Sequence, residues 1–326
     1  MEAKNRNQVI DEINQLLVNG GFKTSKVYYQ SCFDMAARKK LLLILLKVLV
    51  NIDSINESHV QEIRKISNTF LASPIIVGVK SKTMMLEEDV VYERHGLPAI
   101  GIETLKNMVL YDEYPEILAD RGGYYVNVNG DLLKEYREEY SLSLKDLADL
   151  AHVSRETIYK YENGMVRANS QTAILLEDIL NMKITLDIDL FEVPTDLNET
   201  EQIIDDDKTK DLVNLGFGVV KTKKTPFDAL AKLDNKSIPS KSISKTALHD
   251  ESPLIASLEK NRTFKTLKKI AISLKDLSLI TESNPFFIIN NESIKHSLDG
   301  IPVIKSWELK EAEDSSEFLK IIKERK

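Results

Sequence analysis

Apolar residues in the middle of the chain recur every three or four positions, which is the period of helices that bury one face. Between residues 129 and 183 this period predicts four helices, at 132–140, after Ser143, after Ser154 and at 170–181. Both serines stand immediately before a helical pattern and suit the N-cap position, where a hydroxyl accepts a hydrogen bond from the first turn. Asp146, three residues after Ser143, completes an arrangement close to a capping box.

The two middle helices have the spacing of a helix-turn-helix, in which the second helix enters the major groove of DNA. Ala148 lies where the two helices would approach most closely, so a small side chain is expected there. Ile158 and Tyr161 would form the inward face of the second helix, and Gly164 suits its C-terminal end. A small helical bundle that contacts only protein is the alternative interpretation.

These residues resemble the Cro/C1-type helix-turn-helix, whose core reads approximately A-x-x-x-G-V-S-x-x-x-I. The corresponding positions here are Ala148, His152, Val153, Ser154 and Ile158. His152 departs from the family, because glycine is usual at this turn and its φ is often positive. Histidine reaches that region less readily than glycine and more readily than a β-branched residue. We therefore expect modest strain and an unchanged fold.

The docked geometry of such motifs brings the start of the second helix to the base edges. By this resemblance, eight residues are candidate DNA contacts: Ser143, Ser154, Arg155, Glu156, Thr157, Tyr159, Lys160 and Arg167. Arg155 suits the O6 and N7 acceptors of guanine, and Glu156 suits the amino group of cytosine, although an ordinary solvated role fits Glu156 equally well. Ser154, Lys160 and Arg167 suit phosphates, which set the register without reading the sequence.

The charge of this domain indicates that one copy binds DNA weakly. Residues 129–183 hold seven basic and ten acidic side chains, a net charge of −3, and the whole chain carries −7. Nonspecific affinity grows with the number of phosphates that are neutralised. Two copies on a palindromic site would supply more contacts, so we expect a homodimer on double-stranded DNA.

The composition is that of an ordinary soluble protein of two or three domains, with 326 residues of which 42% are hydrophobic and 29% charged. Cys32 is the single cysteine, which excludes an intrachain disulfide framework and favours a reducing cytoplasm. The longest apolar run, at 41–50, is too short to span a bilayer and predicts a buried strand. The first eight residues are polar and charged, so we expect no signal peptide, a cytoplasmic location and no membrane contact.

The regions on either side of the helical domain match each other in three places and in the same order. The matched pairs are 17–22 with 212–217, 33–37 with 227–231, and 96–100 with 300–304. Three ordered matches indicate an internal duplication. Each region alternates helices with buried apolar strands, which predicts a mixed α/β sheet covered on both sides.

The predicted fold class is therefore α/β plus all-α, with two related modules flanking a helical domain. The predicted order is an α/β module at 1–120, the helix-turn-helix domain at 121–193, an acidic linker at 194–210 and a second α/β module at 211–326. Within the modules, the pattern predicts strands that include 23–29 and 32–38, and helices that include 57–71 and 263–274. The stretch 235–253 is rich in serine and lysine and predicts a mobile insertion.

The first module resembles PD-(D/E)xK nucleases, in which a helix precedes one strand with an Asp and another that ends in Lys. Asp34 and Lys47 match those two residues, and Glu12 on the leading helix is a further candidate carboxylate. The chemistry needs at least two carboxylates on a divalent metal that activates water. Leu45 occupies the position of the second carboxylate, and the second module keeps Asp228 but has no acidic-x-Lys strand. We therefore expect two inactive nuclease-like modules and no enzyme.

The sequence predicts no cofactor and no metal site. The five histidines lack the spacing of metal ligands, and there is no glycine-rich phosphate loop. Gly122 and Gly123 precede a short apolar strand at 124–128 and predict a turn.

Over nearly its full length the chain resembles archaeal HTH-type transcriptional regulatory proteins, with 121–162 the most specific part. The resemblance implies a cytoplasmic, sequence-specific DNA-binding regulator. The resemblance does not identify the operator, and it leaves open whether the protein binds an effector of unknown chemistry. The alternatives are a metal-dependent nuclease or resolvase targeted by the helix-turn-helix, and a scaffold whose helical domain binds protein.

Overall fold

The computed structural model describes residues 5–194, 207–233, 252–258, 262–291, 294 and 296–326. The chain divides into two compact units, each assembled from separate segments. Unit 1 contains Met1–Gly20, Val48–Ile55 and Ile75–Leu190, and unit 2 contains Gly21–Lys47, Asn56–Pro74 and Phe191–Lys326. The sequence pattern predicts consecutive domains instead, and their boundaries stay predictions.

The first part of the chain alternates helices with strands. Its elements are α1 Arg6–Asn19, β1 Lys23–Thr24, β2 Met35–Lys39, β3 Leu42–Asn51, α2 Glu57–Phe70, β4 Ser73–Lys80, β5 Val90–Arg94, β6 Leu97–Gly101, α3 Ile102–Lys106, β7 Ile117–Asp120 and β8 Gly123–Val128. A 3-10 turn, Ile52–Ser54, follows β3, and a π-helical turn, Asn107–Tyr111, follows α3.

The helical domain comes next and a second alternating region completes the chain. The elements of the helical domain are α4 Gly130–Glu139, α5 Leu144–Leu150, α6 Arg155–Glu162, β9 Ala168–Asn169, α7 Ser170–Leu180 and β10 Thr185–Leu186. Those of the second region are α8 Asp207–Asn214, β11 Phe217–Lys221, β12 Ala229–Leu233, β13 Leu254–Leu258, α9 Phe264–Thr281, β14 Asn284–Ile288, β15 Ser297–Leu298, β16 Ile301–Ile304, α10 Ser306–Glu311 and α11 Ser315–Glu324.

Asparagine side chains cap the N-termini of α1 and α2. The Asn5 side chain accepts the Gln8 N–H at 3.0 Å, and the Gln8 side chain accepts the Asn5 N–H at 2.8 Å, so α1 starts with a capping box. Asn56 caps α2 through a single bond, by accepting the His59 N–H at 2.9 Å. Among the described residues, none of the helices is long and apolar enough to cross a membrane.

Each unit contains a mixed sheet, as the sequence pattern predicts. The strands of unit 1 follow the order β4-β6-β5-β7-β8-β10, with β9 beside β8. In unit 2, β1 pairs with β2 and β2 with the first part of β3, all antiparallel. A second sheet of unit 2 has the order β11-β12-β13-β14-β16-β15.

The strand pairs of the two alternating regions have the same directions, which supports the duplication. The pairs β1–β2, β2–β3 and β5–β6 are antiparallel and β4–β6 is parallel. Their counterparts β11–β12, β12–β13 and β15–β16 are antiparallel and β14–β16 is parallel. We refer to residues 6–101 as repeat 1 and residues 207–304 as repeat 2.

Left-handed backbone positions also recur in the two repeats. Helix α2 ends at Leu71 with φ 53°, and helix α9 ends at Glu282 with φ 52°. The hairpins β5–β6 and β15–β16 each close with two residues of positive φ, His95-Gly96 and Asp299-Gly300. Such pairs form the tight turns whose twist matches that of the flanking strands.

Within unit 2 the repeats pack against each other in a reciprocal manner. Helix α2 of repeat 1 lies on β12 of repeat 2, and helix α9 of repeat 2 lies on β2 of repeat 1. The Phe70 and Phe227 rings meet edge to face at 6.3 Å on one side. On the other side the Tyr28 hydroxyl donates to Asp276 at 2.7 Å. In both places a helix of one repeat thus packs on a strand of the other repeat.

Some elements differ from their prediction. The predicted strand 23–29 shortens to β1, and just beyond it the Lys26 N–H donates to the Asp276 carboxylate at 2.8 Å. Helix α9 continues seven residues beyond 274, and α8 begins inside the predicted acidic linker. Strands β5, β7 and β15 and helices α10 and α11 were not anticipated by the pattern. The rest of that linker after residue 194, and most of the predicted insertion 235–253, lie outside the described residues.

Candidate nucleic-acid interface

Helices α4 to α7 enclose a small apolar core that fixes the two middle helices. The core is formed by buried residues of all four helices and of β8, β9 and the turns: Val126, Leu133, Leu147, Ala148, Ala151, Ile158, Tyr161, Ala168, Ala173, Leu176, Leu180 and Ile184. Ala148 is 1% exposed, so a larger side chain would separate α5 from α6. The predicted inward face of α6, Ile158 and Tyr161, and the predicted small residue Ala148 are therefore confirmed.

The predicted caps of α5 and α6 are present. The Ser143 hydroxyl accepts the Asp146 N–H at 3.1 Å, and the Asp146 carboxylate accepts the Ser143 N–H at 2.8 Å. Those hydrogen bonds hold the pKa of Asp146 below its usual value. At α6 the Ser154 hydroxyl accepts the Thr157 N–H at 3.0 Å and also lies 2.8 Å from the Thr157 hydroxyl. The Ser143 and Ser154 hydroxyls therefore already accept hydrogen bonds from backbone N–H groups of α5 and α6.

His152 takes the left-handed conformation that its position in the turn predicts. Its φ is 54°, and the following Val153 N–H donates to the Ala148 carbonyl at 3.0 Å. The turn therefore keeps the family geometry with a residue other than glycine. Gly164 has φ 63° directly after the end of α6, as predicted for a helix stop.

Three further residues that the sequence reasoning missed fix the position of α6. A Cβ at Gly130 would lie 2.3 Å from the Glu162 carbonyl oxygen, so α4 approaches the end of α6 as only glycine allows. The buried Arg137 donates through Nε to Glu162 Oε1 at 2.5 Å and through Nη1 to the Leu142 carbonyl at 2.9 Å. The hydrogen bond with Glu162 raises the pKa of Arg137. The sequence does carry a signal for this ion pair. Arg137 follows the buried Leu133 by four residues, and Glu162 follows the buried Ile158 by four residues, so each charged residue lies on the buried face of its helix.

The outer face of α6 presents most of the predicted base-reading residues to solvent. Arg155 and Glu156 are exposed, Thr157 is half-buried, and Tyr159 is 47% exposed. The Lys160 ammonium lies 2.8 Å from the Glu156 carboxylate one turn away. This hydrogen bond lowers the pKa of Glu156, so the two charges largely compensate each other on the helix surface.

Arg167 lies beyond α6, where the chain joins the sheet of unit 1. Its Nε donates to Asn127 Oδ1 at 3.3 Å. The next residues form β9, which pairs with β8 through Val126 and Ala168. The loop from Gly164 to Arg167 is therefore held between the second helix of the motif and a strand.

The nuclease-like site of repeat 1 is a buried ion pair. The Lys47 Nζ lies 3.3 Å from Asp34 Oδ1 and donates to the Ser31 carbonyl at 2.7 Å. Asp34 is fully buried, and Leu45, also buried, stands where a second carboxylate would be needed. One carboxylate already beside an ammonium is a poor donor set for a divalent cation. Across the described residues, no three His, Cys, Asp or Glu side chains are grouped so that they could hold a metal ion.

The surroundings of this ion pair hold further titratable groups. Burial, followed by the charge of Glu62, raises the pKa of the Cys32 thiol to about 12. Burial, Lys224 and Lys47 together lower the pKa of His59, whose Nε2 lies 2.8 Å from Lys224 Nζ. The Cys32 N–H donates to the Lys224 carbonyl at 2.7 Å. The loop that precedes β12 thus lies directly against the Asp34 site.

Repeat 2 has a different ion pair at the matching position. The Asp228 N–H donates to the Ala256 carbonyl, as the Asp34 N–H donates to the Leu46 carbonyl, so Ser257 stands where repeat 1 has Lys47. The Arg262 guanidinium lies 2.9 Å from both Asp228 oxygens. The Leu258 N–H and the Ser257 hydroxyl also donate to Asp228.

The fold and this surface define a helix-turn-helix DNA-binding protein with a nuclease-like α/β domain. Residues 133–186 match the helix-turn-helix family model, and residues 6–115 match the model of the PD-(D/E)XK superfamily domain. Both assignments agree with the resemblances that the sequence carries.

Relatives in archaea match the chain over nearly its whole length. A protein of Methanobrevibacter smithii is 58% identical over 99% of this chain and 98% of its own. One of Methanothermobacter thermautotrophicus is 56% identical (98% and 97%), and one of Thermococcus kodakarensis is 33% identical (97% and 95%). Each bears the name "Putative HTH-type transcriptional regulatory protein". The chain belongs to this family of HTH-type transcriptional regulatory proteins.

Proposed function

We propose that this protein regulates transcription as a homodimer that binds a palindromic operator. The observation that carries the proposal is the outer face of α6, where Arg155 and Tyr159 are exposed on a helix whose other face is buried. Arg155, Thr157 and Tyr159 would read base edges in the major groove. Ser143, Ser154, Lys160 and Arg167 would contact phosphates.

Glu156 and Lys160 have two alternative uses in this proposal. Their ion pair holds both side chains along the helix in the absence of DNA. On DNA, a cytosine amino group would replace Lys160 as the donor to Glu156, and Lys160 would turn to a phosphate. Because exchanging partners on an exposed surface changes the free energy little, the pair is compatible with either role.

The dimer is supported by the charge of the helical domain. Its net charge of −3 gives one copy little nonspecific attraction for DNA. The buried Arg137–Glu162 pair further removes one of its seven cations from any DNA contact. Two copies with their α6 helices one helical turn apart would recover affinity through doubled contacts.

Selection of bound sequences from random duplex DNA by the full chain, with magnesium present, tests the proposal. We expect an enriched palindrome with half-sites about 10 base pairs apart. Arg155→Ala should weaken binding to the selected site by about 1–3 kcal/mol, or roughly 5- to 150-fold in Kd. Lys320→Ala, which removes an exposed charge on α11, is the control and should leave Kd unchanged. No enriched sequence would contradict the proposal and favour a protein-binding scaffold.

A second candidate function is metal-dependent cleavage, which the match to the PD-(D/E)XK superfamily domain favours. We propose that the chain does not cleave, because Leu45 removes a carboxylate and Lys47 already neutralises Asp34. Supercoiled plasmid incubated with the protein and magnesium should stay uncut. Nicking that disappears in Asp34→Asn, while operator binding is kept, would establish the nuclease instead.

A further inference from the structure

A β-hairpin outside the helix-turn-helix stands beside the loop that follows α6. Strands β7 and β8 are joined by the two-residue turn Arg121-Gly122, in which Gly122 has φ 92°. The Tyr124 hydroxyl donates to the Glu87 carboxylate, and this hydrogen bond raises the pKa of Tyr124 to about 12. On its other edge β8 pairs with β9 and β10. The hairpin is therefore fixed on both sides.

The hairpin and the loop after α6 together line an open groove of about 710 Å³. The hairpin contributes Arg121, Tyr125 and Asn127, and the loop contributes the segment 164–167, which ends in Arg167. Arg121 and Arg167 are exposed, whereas Tyr125 and Asn127 are half-buried. Two guanidinium groups, a phenol and a carboxamide thus share one concave surface.

We propose that this groove binds the phosphodiester backbone of one strand of duplex DNA. Arginine, tyrosine and asparagine side chains are among the usual donors to phosphate oxygens. Arg167 uses only its Nε to hold Asn127, and a guanidinium has five N–H donors. Only one residue, Asn163, separates the end of α6 from the groove segment 164–167, so the groove lies close to a duplex seated on α6. This inference rests on the proposed DNA-binding function and adds Arg121, Tyr125 and Asn127 to it.

Asp120 is the one acidic residue that lines the groove, and it provides a test of opposite sign. Its Oδ1 accepts the Arg121 N–H at 2.6 Å and stabilises the turn. Because its negative charge would face a phosphate, Asp120→Asn should strengthen DNA binding while keeping an acceptor for the same hydrogen bond. Arg121→Gln should weaken binding, since it removes the cation from the same turn.

The experiment measures the affinity of the full chain for its selected duplex and for a scrambled duplex over a series of salt concentrations. Arg121→Gln should raise Kd for both duplexes by a similar factor and reduce the slope of log Kd against log salt by about one. Tyr125→Phe should raise Kd for both less strongly, without a change of slope. Lys320→Gln, an exposed lysine of α11 outside the helical domain, is the control with the same change of charge and should change neither. Thermal unfolding of each variant verifies that the fold is intact.

The outcomes separate this inference from the proposed function. If Arg155→Ala weakens specific binding while Arg121→Gln and Asp120→Asn change neither Kd nor slope, the groove proposal is wrong and the regulator stands. If the wild-type chain binds no duplex, both are wrong. Opposite shifts of Kd for the two turn variants, with the reduced slope for Arg121→Gln, would support the groove.

Discussion

Asp34 in repeat 1 and Asp228 in repeat 2 occupy the same strand position, yet their cationic partners come from different places. In repeat 1 the partner is Lys47, directly opposite on β3. In repeat 2 that opposite position is Ser257, and the cation is Arg262, beyond the end of β13. A carboxylate removed from water must be paired and hydrogen-bonded, and each repeat meets this need independently.

In both repeats the aspartate carboxylate is held in an ion pair, although the cation comes from a different position. Asp34 pairs with Lys47 and Asp228 pairs with Arg262, and each site lacks a second carboxylate at the place where a nuclease needs one: Leu45 in repeat 1 and Ile255 in repeat 2. A buried ion pair contributes little net stability, but the loss of one partner is costly. Removing the partners one at a time therefore tests this comparison directly.

The largest effect is expected from Lys47→Met. This change leaves Asp34, which is fully buried, without its ammonium, and should lower the free energy of unfolding by about 3–5 kcal/mol. Urea unfolding of the full chain, followed by tryptophan fluorescence and circular dichroism, measures it. The double variant Asp34→Asn/Lys47→Met should recover much of the loss. A cost below about 1 kcal/mol for Lys47→Met would show that the pair is dispensable.

A smaller effect is expected from Arg262→Met in repeat 2. The Leu258 N–H and the Ser257 hydroxyl still donate to Asp228, and the Arg262 side chain is more exposed than that of Lys47. The expected loss is about 1–3 kcal/mol in the same unfolding experiment. A larger loss than for Lys47→Met would reverse the ranking of the two sites.

Glycine at the two left-handed helix ends, Leu71 and Glu282, should stabilise the protein by different amounts. Leu71→Gly should stabilise the protein by about 0.5–1 kcal/mol, because Leu71 pays the steric cost of a positive φ and is 60% exposed. Glu282→Gly should gain less, because it also removes the ion pair with Arg38 at 3.3 Å. Melting temperatures of the two variants measure the difference. Equal shifts would mean that the Arg38 pair contributes nothing.

The smallest effect concerns the pH dependence of stability through His59 of repeat 1. Burial, Lys224 and Lys47 lower the pKa of His59, against the opposing charges of Asp34 and Glu62. The unfolded chain then takes up a proton at a higher pH than the folded chain, so stability is lost as the pH falls through the ordinary value of 6.5 toward the lowered one. His59→Gln should reduce this loss between pH 7.5 and pH 5.5. An unchanged pH profile would contradict the assignment.

Periodicity and capping predicted the helical domain because its signals are local. Ser143, Ser154, Ala148 and Gly164 each act within a few residues, and the structure has each in its predicted role. The mixed sheets followed from continuous apolar strands, and the duplication followed from ordered matches. His152 was predicted to strain the turn without changing it, and its positive φ agrees.

Contacts between distant segments could not be predicted in the same way. The close approach at Gly130 depends on a backbone oxygen 32 positions away, and the Arg137–Glu162 pair joins two helices that only packing brings together. Just beyond the end of β1, the Lys26 N–H donates to Asp276, which lies 250 positions away in the sequence. The DNA contacts of Arg155, Thr157 and Tyr159 stay predictions, since exposure allows a contact without specifying it.

The reciprocal packing of α2 on β12 and of α9 on β2 has a consequence for assembly. Two identical modules that exchanged the same contact would form a symmetric pair, and here both partners are covalently joined in one polypeptide. That association therefore does not depend on protein concentration. A dimer of the whole chain would contain four repeats but only two α6 helices. Dilution would dissociate such a dimer and separate its two α6 helices, whereas repeat 1 and repeat 2 of each chain would stay packed against each other.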